Sequence, residues 1–272
     1  MPEEDTYLMS TRRMLTALCL TKAYSNLPCM QDACQQGAGT TWRAVRRRGL
    51  ADEVTDQLRN IILTGGLKPG GRVGEAEISQ RLKVSRGPVR EALVRLEQEG
   101  LVASEWHQGA TVVDFSREDV VQLATLRGAL EQLAVTEAVR SATDDDFARL
   151  AEVVDRMRSA QAKPDDASLV RLDIEFHDAV YCAAHHDRLY AAWTTIRSQV
   201  ALSLLRRRVV NADYSGLVVH EHSALAATLA RRESDNARAE IAVHLDGAYS
   251  RLLAAFDSNH RLPPEKMPTS SG

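Results

Sequence analysis

The stretch VSRGPVREALVRLEQEG, Val84 to Gly100, constrains this chain more than any other. It reads as one helix with two faces. Val89, Leu93 and Leu96 recur at the i, i+4, i+7 spacing of a packed face, while Arg86 and Arg90 lie one turn apart on the opposite side. Ser85 stands where an N-cap is expected, and Pro88 falls in the first turn, where no intrahelical N–H is lost. Gly100 occupies the C′ position that ends such a helix. A helix built only to fill a core has no use for two arginines at its start.

Its flanks supply the context. From Leu50, apolar residues at 50, 54, 58, 61, 62 and 63 keep helical spacing until Gly65-Gly66 stops the run. EAEISQRL (75–82) reads as a second helix, with Lys83-Val84 as the turn into the third. Beyond Gly100, LVASEW (101–106) and ATVVDF (110–115) read as strands joined through His107-Gln108-Gly109. Three helices and a hairpin in that order predict a winged helix-turn-helix over residues 49–115. In that motif the start of the second helix of the pair meets base edges in the major groove. Arginine suits the two acceptors of guanine, and Gly87 lets the backbone come close. Ser85, Arg86, Gly87 and Arg90 are therefore the candidate DNA contacts. The alternative is a solvated face on which the arginines pair with Glu91, Glu97 or Glu99.

Charge narrows how such contact would work. The chain carries a net charge of -3, and residues 50–114 hold 8 Lys and Arg against 10 Asp and Glu. With no basic field, DNA contact must rest on a few placed arginines.

The rest of the chain is helical in pattern, with helices expected at 116–140, 144–162, 166–184, 187–209, 214–231 and 234–257. TDDD (143–146), KPDD (163–166), NADYSG (211–216) and ESDN (233–236) supply the N-capping residues between them. The fold class is thus mainly α: a winged helix-turn-helix followed by an all-α antiparallel bundle over 116–257. A hydrophobic share of 44% with 26% charged residues lets each part bury a core. Residues 1–48 show no sustained period and are expected to be a disordered extension, as is the tail 258–272. The four cysteines form no CxxC pair, so neither a disulfide framework nor a zinc ribbon is indicated. The apolar patch within residues 11–22 is too short for a signal peptide, and no apolar run approaches membrane-spanning length. The chain reads as cytoplasmic, with no membrane partner.

Asp173 and His177, at i and i+4, share one helix face, and His222 and His244 each have apolar company at helical spacing. One carboxylate and three imidazoles would suit a divalent metal, Zn²⁺ first and Mn²⁺ or Ni²⁺ next. Spacing alone leaves core or surface histidines equally open. His220, two positions from His222, should point away from it. A rival enzyme reading starts from His177-Asp178 and His186-Asp187, two HD dipeptides of the kind metal-dependent phosphohydrolases use. Those enzymes need a further upstream histidine, and only His107 precedes both.

Residues 50–114 resemble the winged-helix domain of GntR-type bacterial regulators, whose recognition-helix signature VSRGPVREAL closely matches. The resemblance implies DNA contact by Ser85, Arg86 and Arg90, with Gly109 at the wing tip near the minor groove. One departure is Ala76, between Glu75 and Glu77, where relatives often have a polar or basic residue. Residues 116–257 resemble the ligand-binding domain of the FadR subfamily in its metal-binding branch, of FCD type. That resemblance implies Asp173, His177, His222 (in Glu221-His222) and His244 (in His244-Leu245) as metal ligands. It also implies that Arg127 in LRGALEQLA clamps an effector carboxylate, the alternative being an i, i+4 pair with Glu131. The function implied is a ligand-responsive transcription regulator and not an enzyme. It would act as a homodimer on a palindromic double-stranded DNA operator, as a repressor responsive to a small organic acid.

Overall fold

In a computed structural model, residues 49–105, 109–161, 166–210 and 214–259 are described; the expected extension lies outside them, as do His107 and the expected tail beyond Asn259, whereas residues 258 and 259, expected in the tail, belong to the last helix. The head begins with α1 (Leu50–Leu63), then β1 (Arg72–Val73), α2 (Glu75–Leu82), α3 (Arg86–Gln98), β2 (Val102–Glu105) and β3 (Gly109–Val112). α2 and α3 form the helix-turn-helix. Lys83 makes its turn in the left-handed region (φ 55). Ser85 holds the N-cap position of α3 but makes no side-chain capping bond, so its hydroxyl is not spent on the helix.

The sheet differs from the expected hairpin by one strand. β1 pairs antiparallel with β3, giving the order β1-β3-β2. Two residues carry no periodicity, so β1 left no trace in the sequence pattern. β2 and β3 pair from Val102↔Val112 to Glu105↔Gly109. Gly109, at φ 83, opens β3 where a side chain would be strained.

The bundle comprises α4 (Arg117–Ser141), α5 (Asp144–Gln161), α6 (Asp166–Ala183), α7 (Asp187–Val210), α8 (Tyr214–Ala230) and α9 (Ser234–Asn259). Two of its starts are reciprocal capping boxes. Asp119 N donates to Ser116 Oγ (3.1 Å) while Ser116 N donates to Asp119 Oδ2 (2.9 Å). Thr143 and Asp146 repeat the arrangement at the head of α5. α4 packs on α9, and α5 on α6 and α8. The bundle core runs through Phe176, Val180, Trp193, Leu225 and Ile241.

The two parts were expected to bury separate cores, and the head does not. Leu58, Ile62, Val89, Leu96 and Leu101 pack with Leu202 of α7 and with Leu252 and Phe256 of α9. A polar joint lies alongside. Arg59 of α1 donates from Nε and Nη2 to both oxygens of Glu99 (2.7 and 2.6 Å), and Ser198 of α7 donates to the same carboxylate (3.1 Å). Gly100 sits against α7 in a left-handed conformation (φ 68), where a Cβ would come within 2.7 Å of the Gln199 side chain. Gly100→Ala should therefore lower unfolding free energy by at least about 1 kcal/mol, from φ strain before any clash. Chemical denaturation measures it; an unchanged midpoint would mean that the α3–α7 junction yields freely.

Candidate functional site

At the bundle centre, α6, α8 and α9 bring His177, His222 and His244 together. All three are buried, and a ligand nitrogen from each lies within 4.8 Å of the others. Asp173, one turn before His177, is also buried. Its carboxylate oxygens stand 3.7 Å from His177 Nε2 and 3.9 Å from His222 Nε2.

Two of the rings are held by hydrogen bonds from Nδ1. His222 Nδ1 donates to the Val218 carbonyl (2.7 Å), one turn earlier on the same helix. His244 Nδ1 donates to Glu221 Oε2 (2.9 Å), and Arg251 holds that carboxylate from the other side (2.9 Å). His177 Nδ1 lies 2.8 Å from Glu131 Oε1 on α4. Since carbonyls and carboxylates only accept, the protons of His222 and His244 sit on Nδ1 and their Nε2 lone pairs are free to ligate. Burial drives the His222 pKa down to about 3, with the Asp173 carboxylate opposing and the other two histidines adding to the fall. Burial also lowers His244, against the pull of Glu221. Both rings are neutral, the form a metal takes.

The donor set therefore fits a divalent cation. Among the described residues, Nε2 of His177 and Nε2 of His222 have no hydrogen-bond partner. A buried polar atom left so is costly unless something coordinates it. Three imidazole nitrogens and one carboxylate form the kind of first-row metal site that keeps positions open.

Beside it lies a buried charged pair. Arg127 donates from Nε to Glu131 Oε1 (3.1 Å), and both side chains are essentially inaccessible. The two sequence alternatives for Arg127 are thus not exclusive: one edge of its guanidinium holds Glu131, while Nη2 meets no acceptor among the described residues. Burial alone would raise the Glu131 pKa, but His177 and then Arg127 outweigh it and hold it at about 2. Tyr181, which sequence reasoning missed, stacks on Trp193 (centroids 4.8 Å, planes 9° apart), and its buried hydroxyl likewise has no partner among the described residues. Only its place one turn beyond His177 on α6 hinted at this role.

The remaining histidines stand apart. His220 is exposed, as its spacing required. His185 bonds Asp146 at the surface (2.9 Å), and His186 accepts from Leu189 N at the start of α7 (3.2 Å). The HD reading loses its geometry as well. Asp178 turns away from the histidines to accept from Trp193 Nε1 and Arg197 Nε, both at 2.7 Å.

On the head, Arg86, Gly87 and Arg90 are exposed on one side of α3, with half-exposed Val94 one turn beyond Arg90. Two of the three expected acidic partners are otherwise engaged, Glu99 by Arg59 and Glu97 by Ser104, and Glu91 makes no ion pair with either arginine among the described residues. Arg90 instead pairs with Glu75 of α2. A Cβ at Gly87 would meet nothing within 4 Å, so protein packing does not demand glycine there.

The family model for bacterial regulatory proteins, gntR family, matches residues 50–113, and that for the FCD domain matches residues 122–247. The probable D-xylose utilization operon transcriptional repressor of Paenarthrobacter nicotinovorans is 30% identical over 164 residues, 59% of this chain and 70% of its own length. The chain belongs to the GntR family. It is a GntR-type transcription regulator with an FCD domain. The uncharacterized regulator YdhC of Bacillus subtilis is 24% identical over 197 residues, spanning 70% of this chain and 85% of its own. McbR/YncC of E. coli has the same fold, with a TM-score of 0.69 at 24% identity, covering 77% of this chain and all of its own. No helix among the described residues is long and apolar enough to cross a membrane.

If the cluster holds a metal, His222→Ala should abolish stoichiometric metal in purified protein and lower its melting temperature, and chelation of wild type should reproduce that shift. Elemental analysis with thermal melts decides it. Metal-free wild type whose melting temperature His222→Ala leaves unchanged or raises would mark a buried histidine cluster and nothing more.

Proposed function

We propose that this regulator binds a palindromic operator as a homodimer and is released from it by a small organic acid seated at the metal cluster, as a cytoplasmic repressor. The observation that carries the reading is the buried His177–His222–His244 cluster beside Arg127, in a bundle that shares its core with a DNA-reading head. Asp173, His177, His222 and His244 would hold the cation, Zn²⁺ by donor type with Mn²⁺ and Ni²⁺ next. When bound, the metal supplies a Lewis-acidic position for an anionic oxygen.

Charge balance supports an acid as the effector. A bound cation takes all three imidazoles in their neutral form, so one guanidinium and two carboxylates (Arg127, Glu131 and Asp173) leave a net negative charge that a divalent cation would overcompensate. One carboxylate restores neutrality. Arg127 Nη2 and the Tyr181 hydroxyl, buried donors with no partner among the described residues, would receive it. To act as an effector the acid must favour one arrangement of the two heads.

On the head, Ser85, Arg86, Gly87 and Arg90 would enter the major groove, with Gly109 at the wing. Two-fold symmetry of the protein would match two half-sites. Gly87 separates DNA contact from a structural role. Alanine is the better helix former by up to about 1 kcal/mol, so Gly87→Ala should raise stability slightly while weakening operator binding, as its methyl meets DNA. Gel shift on a duplex enriched by wild-type protein from a random pool tests this, with Arg86→Ala/Arg90→Ala as the positive control. Undiminished binding in the arginine double variant would remove α3 from the interface. A thermal-shift screen of small carboxylates against Zn²⁺-loaded protein, repeated on Arg127→Ala, tests the effector half; equal shifts in both would separate Arg127 from the ligand.

A further inference from the structure

Half of the head's cations are already tied up. Arg59, Arg81, Arg90 and Arg95 each pair with a carboxylate, whereas Lys68, Lys83, Arg72 and Arg86 have no ion pair among the described residues. The Arg90 pair differs from the rest because it lies on the candidate DNA face and bridges α2 and α3. Glu75 Oε1 accepts from Arg90 Nε and Oε2 from Nη2, both at 3.1 Å. As an exposed pair it adds little to stability. A carboxylate at a phosphate-facing surface also opposes DNA by simple charge, so its place there asks for another reason.

The fork supplies one. A guanidinium has five N–H groups in one plane. Glu75 takes the edge formed by Nε and one Nη2 hydrogen. The opposite edge, one hydrogen from each Nη, stays free and is the edge that matches the paired acceptors of guanine. Held at its Nε edge, Arg90 loses the rotamer freedom that otherwise lets a long side chain slip to the nearest phosphate. Arg86 has no such restraint, so its charge is free for the backbone.

We infer that Glu75 is a specificity-determining residue of this regulator: by gripping the Nε edge of Arg90 it presents the arginine's end to a guanine and keeps it from serving as a phosphate anchor. The inference rests on the DNA-reading function proposed above. It divides the labour between two arginines that the sequence presents alike. Arg90 reads, through Glu75, and Arg86 anchors. It also gives the acidic surroundings of Ala76 a use: Glu75 trades electrostatic affinity for discrimination, which suits a head without a basic field.

The test uses the full chain and the duplex that wild type enriches from a random-sequence pool, against the same duplex with its G·C pairs exchanged one at a time and against scrambled DNA. Glu75→Gln is expected to bind scrambled DNA as tightly as wild type or tighter, yet to lose about tenfold in discrimination at one G·C pair of each half-site. Arg90→Lys, which keeps the charge but not the fork, should lose discrimination at that same pair, and the double variant should lose no more than either alone. The salt dependence should separate the arginines: Arg86→Ala lowers the slope of log K against log salt by about one, and Arg90→Ala leaves it nearly unchanged. Melting temperatures should not move, since the pair is exposed. If Glu75→Gln tightens binding to cognate and scrambled DNA alike with the ratio preserved, Glu75 is only a repelling charge and the inference falls. Additive losses in the double variant overturn it too. A pool from which wild type enriches no duplex overturns the DNA reading and this inference with it.

Discussion

Six polar side chains at the centre of a helical bundle set the terms for the rest of this protein. Arg127, Glu131, Asp173, His177, His222 and His244 are all buried, on four helices, where unpaired charge is costly. His222 and His244 are turned by acceptors at Nδ1, and His177 Nδ1 lies beside Glu131; the two carboxylates are themselves held, Glu221 by Arg251 and Glu131 by Arg127. The outcome is a cluster of three imidazoles in which Nε2 of His177 and of His222 approach Asp173, preorganised because part of the cost of orienting the rings is met by neighbours. A core built this way makes sense if its polar centre is to receive something charged.

That centre is one shell of side chains from the head. Asp178, next to His177, holds Trp193 and Arg197 on α7. The following residues of α7 meet the C-terminal end of α3: Ser198 on Glu99 and Gln199 on Gly100, with Leu202 in the head's core. The recognition helix is therefore fastened at its far end to the same helix that lines the cluster. Differential contact at the cluster has a short physical route to the orientation of α3.

Electrostatics on the head follow a different economy. The region 50–114 is net acidic, and most carboxylates near the recognition helix hold an arginine or a backbone group in place. In the proposed function, DNA affinity drawn from so few free cations would depend strongly on their placement. Under the same proposal, shape, close approach at Gly87 and oriented arginines would carry a larger share of recognition than bulk charge.

Much of this was legible in the chain itself. Helical periods, capping clusters such as TDDD and the turn residues Gly65, Gly100 and Gly109 act locally, so sequence alone placed nearly every helix and the β2–β3 hairpin within a few residues. The i, i+4 spacing of Asp173 and His177 put them on one face, since that relation is internal to a helix. The two-residue strand β1 exists only through its pairing with β3. Arg90 found Glu75 and not an acid on its own helix, because α2 and α3 cross there. Tyr181, Glu131 and Glu221 became site residues only when α4, α6, α8 and α9 packed. Sequence determined which surfaces each helix offers; only tertiary packing decided which polar groups meet, because burial and partner choice depend on elements far apart in the chain.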